Sequence, residues 1–193
     1  MVADSQFKQT RMKVFKIVGI VCFGTLAGIS LLWWGCKPHQ PSDASLERRF
    51  NKERPEFERL VRMMEEDWNM SRIAPDFTWR QDNVAWPRPE SEWGISNERW
   101  NDYKRLFSQT GLDDGITRPE KSSDTLLDVW SWGLVVGGRS VSYVHCGPPR
   151  DGSAHTEPPC LQDKDSGRVE ESPGDAYRFK KIAPDWYIFE ESN

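Results

Sequence analysis

The sequence predicts an α+β protein: one N-terminal transmembrane helix, then a small domain of amphipathic helices packed on an antiparallel sheet of about four strands in two hairpins. Three observations predict it. Residues 17–34 run without a formal charge. Apolar residues then recur at three- and four-residue spacing over 46–68 and again over 100–107, which is the helical period. After Gly115 the period shifts toward two, the mark of half-buried strands.

The first element is the apolar run. Eighteen residues at about 1.5 Å rise make roughly 27 Å of helix, close to the thickness of a hydrocarbon core. A basic tail, 1–16, carries Lys8, Arg11, Lys13 and Lys16, and Trp33 and Trp34 close the run where an interfacial belt would lie. This charge asymmetry predicts a single pass through the inner (plasma) membrane over 17–35, with a cytoplasmic N-terminus and an extracytoplasmic body. Membrane lipid is then the first expected partner. A secretory signal cut after Ser30 and a lipoprotein signal ending at Cys36 are the competing readings of the same stretch. Gly24 and Gly28 form G-x-x-x-G, which would let two such helices approach closely as a homodimer, although glycine is common in apolar segments generally.

Residues 36–44, with two prolines, read as a stem, and 45–193 as one domain. Leu46, Phe50, Phe57, Leu60, Val61, Met64 and Trp68 predict the first amphipathic helix, with a kink or fresh start at Pro55. Ser96 as N-cap, Trp100, Tyr103 and Phe107 as the stripe, Gly111 as the left-handed stop and Leu112 as its follower predict the second. Residues 126–136 and 139–145 read as strands joined at Gly137-Gly138, and 176–182 and 186–190 as a second hairpin through a type I turn at Pro184. Between the hairpins, 147–174 is rich in Pro, Gly, Ser and charge and predicts a long mobile loop. Arg72-Ile73-Ala74-Pro75-Asp76-Phe77 is echoed by Lys181-Ile182-Ala183-Pro184-Asp185-Trp186, a repeat that turn chemistry alone accounts for. Trp79, Trp86, Trp93 and Trp100 recur every seven residues, but Pro87, Pro89 and Gly94 forbid one continuous helix there.

Charge excludes one class of partner. Four bases and one acid lie before Cys36, leaving 22 bases and 29 acids, a formal −7, from residue 37 onward. A net-acidic body argues against nucleic acid, whose phosphates need a local excess of Lys and Arg. No phosphate cradle, nucleophile elbow or metalloprotease helix occurs, and Asp76, Asp82, Asp113, Asp114 and Asp185 sit in turn-like contexts. No catalytic residue, cofactor or metal is therefore assigned. His145, Cys146, His155 and Cys160 match no common zinc spacing, and a Cys146–Cys160 disulfide is the better expectation in an oxidising compartment. Eight of the ten tryptophans lie in the body. Most are expected in the core; Trp79, Trp86 and Trp93, in a proline-bearing stretch, are the candidates for an exposed aromatic binding surface.

The runs FNKERPEFERLVRMM, GISNERWNDYKRLF and GLVVGG resemble those of a group of small bacterial membrane-anchored or lipoprotein-type envelope proteins with no assigned function. The likeness covers roughly 46–138 and the last hairpin; it implies an envelope location and brings no site residue. Together these readings predict a membrane-anchored, envelope-side binding or interaction module whose partner is an envelope protein or glycan. The alternative is a small hydrolase acting on cell-wall or envelope material.

Overall fold

Ser42 opens the first helix: its Oγ accepts from the backbone N–H of Ser45, and Asp43 adds a favourable negative charge to the first turn. The computed structural model describes residues 39–81, 90–134, 137–150, 152–162, 164–172 and 175–192. Helix α1 (Asp43–Glu66) departs from helical geometry only at Glu53 (φ −104°, ψ 16°), two residues before Pro55, so the proline bends the helix without ending it. Helix α2 (Asn97–Thr110) keeps the caps read from the sequence. Ser96 Oγ accepts from Arg99 N–H at 3.1 Å, Gly111 takes φ 65°, and Leu112 N–H returns to the Phe107 carbonyl at 3.0 Å.

The strands are β1 (Met70–Ile73), β2 (Thr78–Arg80), β3 (Gly115–Thr117), β4 (Asp124–Leu134), β5 (Gly137–Cys146), β6 (Ser166–Ser172), β7 (Asp175–Ala183) and β8 (Trp186–Ser192). A short helix α3 (Pro158–Leu161) precedes β6. All pairings are antiparallel, in the order β2-β1-β3-β4-β5-β8-β7-β6. The sheet therefore has eight strands where the sequence predicted about four. Strands of three and four residues, such as β3 and β1, are too short for a period to register. β6 was hidden in the 147–174 segment, whose exposed edge strand needs no apolar alternation.

The transmembrane helix expected at 17–35 and its Gly24–Gly28 pair lie outside the described residues. Among the described residues no helix is long and apolar enough to cross a membrane. On that finding the fold class is corrected to helices on an eight-stranded sheet, and the single-pass inner-membrane location is set aside. Two turns are also corrected. Gly137 and Gly138 lie inside β5, opposite Leu134 and Gly133, not in the connection. Asp185 takes φ 60°, the sign that type II requires at this position, whereas type I was expected.

Register decides the faces. Ile73, Ile116, Leu127, Tyr143 and Ile188 lie opposite one another across five strands and meet the buried stripes of α1 and α2. Around them Phe50, Phe57, Tyr143 and Trp186 form a cluster of rings with centroids 5.0–6.5 Å apart. Trp68, expected in the α1 stripe, falls beyond the helix end and is 68% exposed. The next residue along each strand points to the second face: Arg72, Thr117, Leu126, Val144 and Tyr187. There Val144, Phe179, Tyr187 and Phe189 make a smaller cluster with Cys146 and Cys160 packed against it. At the crossing of β1 and β3, Gly115 (φ 86°) brings two backbones together; a Cβ there would collide with the Ile73 carbonyl oxygen.

Candidate functional site

Beyond the smaller cluster the second face is open, and a groove of about 390 Å³ runs across β1, β3, β4, β5 and β8. A bulge in β4 between Asp128 and Trp130 shapes its centre: Asp128 opposes Ser142 in the groove, while Trp130 opposes Val141 and its side chain packs against the helix-side core. The Asp128 carboxylate accepts from Ser142 Oγ at 2.9 Å and from Thr117 Oγ1 at 3.2 Å, and lies 3.7 Å from Arg72 Nη2. Burial pushes this carboxyl up from its ordinary value, against the hydroxyl bonds and the Arg72 charge, and nearby Asp114 adds to the rise.

Arg72 is held in place by aromatic faces. Its guanidinium carbon lies 5.4 Å from the Phe77 ring and 5.6 Å from Trp79, and Nη2 donates to the Asp114 carbonyl at 3.3 Å. Its Nε is buried without a hydrogen-bond partner, and so is the indole Nε1 of Trp130. The Arg72 Nε is then an orphaned donor beside the groove, an uncommon arrangement because an unpaired buried donor costs about 1–3 kcal/mol. Ser131, Ser140 and Glu191 continue the lining into a second hollow that reaches the half-exposed Trp132.

The tryptophans singled out from the sequence divide. Trp79 pairs with Arg72 across β1 and β2 and stacks on Phe77 at 5.1 Å, at the margin of the groove. Trp93 packs edge-on against Trp100 at 4.6 Å and against the helix-side core. Trp86 lies outside the described residues. Arg72 and Asp128 were not picked out as site residues. The one available signal was a lone carboxylate, Asp128, inside the apolar run LLDVW.

Cys146 and Cys160 stand at disulfide distance, Sγ–Sγ 2.06 Å. Asp124, fully buried at the start of β4, accepts from His155 Nδ1 (2.7 Å), Ser122 Oγ (3.1 Å) and the N–H groups of Thr156 (2.8 Å) and Glu157 (3.1 Å). Carboxylate and disulfide together tie 155–157 and Cys160 to the sheet, so the segment read as a mobile loop is anchored at both points. Ser123 Oγ, His155 and Asp124 have the composition of a nucleophilic triad. Both contacts, however, use the same ring nitrogen, Nδ1, at 3.3 and 2.7 Å, and that arrangement cannot relay a proton between serine and aspartate. Asp124 lies close to both sulfurs, which are bonded to each other and so offer no thiolate. His145 faces the opposite side, against Trp186 at 4.9 Å, with its Nδ1 buried and unpaired; burial lowers its pKa.

No family model, no curated protein and no solved structure matches this chain.

Proposed function

We propose that the protein is a binding module whose second sheet face takes a neutral, hydroxyl-rich ligand, a glycan segment, in the groove around Asp128. The observation that carries the reading is the unsatisfied Arg72 Nε donor beside the Asp128 carboxylate acceptor, in a groove lined by the hydroxyls of Thr117, Ser131, Ser140 and Ser142. Donors and acceptor at one place suit a group that both gives and accepts hydrogen bonds, as a sugar hydroxyl does. One base against three acids, Asp114, Asp128 and Glu191, disfavours an anionic ligand. The side chains of Leu126 and Phe189 supply the apolar surface on which a sugar face can lie.

Calorimetric titration of the full chain with chitohexaose and cellohexaose tests this. Saturable binding of at least one is expected, weakened about tenfold by Arg72→Lys, which keeps the charge and removes the Nε donor, and by Asp128→Ala, which removes the acceptor. Failure of both sugars to bind sinks the glycan reading. A small hydrolase is the second reading, favoured by the raised Asp128 carboxyl beside two further acids. Shortening of the same oligosaccharides by the protein, lost in Asp128→Asn, would put it first.

A further inference from the structure

A separate cavity of about 210 Å³ lies at the C-terminal end of α1 and shares no lining residue with the groove. Three cations line it, Arg118, Lys121 and Arg150, against the single acid Glu65. Each is placed by backbone. Arg118 follows β3, its N–H tied to the Ser71 carbonyl at 2.7 Å, and is 7% exposed. Its guanidinium donates to the carbonyls of Met64 and Trp68, leaving other N–H groups of the five uncommitted. Arg150 donates to the Glu65 carbonyl at 3.1 Å and is 3.4 Å from the Glu65 carboxylate, so one acid is shared in a site of three bases. Burial and the neighbouring charge of Arg150 push the Arg118 pKa down.

Lys121 sits in the left-handed region, φ 57°, in a turn closed by Ser122 N–H to the Pro119 carbonyl. A non-glycine residue there carries backbone strain that the surrounding structure has to sustain. At the rim is Trp68, the most exposed large apolar side chain among the described residues at 68%. An excess of positive charge in a recess calls for an anion, and an exposed indole at its lip calls for a flat apolar group. We propose that this cavity binds a small organic anion bearing a planar ring, with the acidic group among Arg118, Lys121 and Arg150 and the ring on the Trp68 indole.

Phenyl phosphate, inorganic phosphate and phenol, titrated into the full chain by calorimetry, test the proposal. Phenyl phosphate is expected to bind saturably and more tightly than inorganic phosphate, with affinity falling as salt is raised, and phenol not to bind. Arg150→Gln and Lys121→Gln, both at exposed side chains, should each weaken phenyl phosphate about tenfold. Trp68→Ala should weaken phenyl phosphate and leave inorganic phosphate unchanged. No saturable binding of phenyl phosphate, or an unchanged affinity in the Lys121→Gln/Arg150→Gln double variant, overturns the site. Equal affinities for phosphate and phenyl phosphate overturn the part assigned to Trp68. None of these outcomes depends on the oligosaccharide titrations.

Discussion

Glu157 stands at the N-cap position of α3 without making a side-chain capping bond. Burial, followed by the charges of Asp124, Glu191 and Asp128, pushes its carboxyl up from 4.5 to about 7. The sign follows from linkage. A folded-state pKa above the unfolded one means that the native protein holds the proton more tightly, so this contribution to stability is full below about 4.5 and is lost as pH rises through about 7. Stability at pH 8 is accordingly expected to rise by about 1–2 kcal/mol in Glu157→Gln, with little change at pH 4. Urea melts of both proteins at the two pH values measure it; equal differences at both pH values would refute the assignment.

At the scale of the element, α1 ends without a basic residue in its last turn. Three arginines from elsewhere do that work: Arg99 donates to the Met63 carbonyl, Arg118 to Met64 and Arg150 to Glu65. Arg99 also bonds the carboxylates of Asp67 (2.8 Å) and Glu66 (2.7 Å), and Tyr103 OH donates to Asp67 at 2.9 Å. The orphan carbonyls of a helix end are thus met by donors distant in sequence, and these donors face the negative end of the dipole. Arg118→Met should lose about 2–3 kcal/mol, because buried carbonyls are left without donors. Arg105→Met, which removes only an exposed pair with Asp102, should change stability by less than about 0.5 kcal/mol. Denaturant unfolding distinguishes the two. Equal losses would mean that the α1 end is satisfied by solvent.

At the largest scale, the unit from residue 40 onward is a sheet with two unequal faces. Helices α1 and α2 cover one, and α3 touches β5 and β7 on the other. That second cover rests on the Asp124 bonds and on a cross-link between cysteines 14 residues apart. Closing a loop of that length is worth about 3 kcal/mol. Reduction should lower the unfolding midpoint correspondingly, with faster amide exchange appearing first in 158–161 and β6 while β4 and α1 remain protected. An unchanged midpoint after complete reduction would show that Asp124 and the apolar cluster hold the cover alone.

Local and periodic features were legible in the sequence by itself. The Ser96 and Gly111 caps, the Pro55 bend, the stripes of α1 and α2, and the β5 alternation each act within a few residues, where a side chain's chemistry meets its own backbone. The Cys146–Cys160 pairing was also within reach, because few partners were available in the body. Everything that depends on which strand lies beside which was decided by tertiary structure. β1, β2 and β3 are too short to show a period, and only their neighbours in the sheet satisfy their backbone groups. The groove needed Arg72 and Asp128 brought together from β1 and β4. Arg118 and Arg150 acquire their role only where the α1 carbonyls lie beside them. Such residues carry no local signature, because the partner that defines each is supplied by the fold.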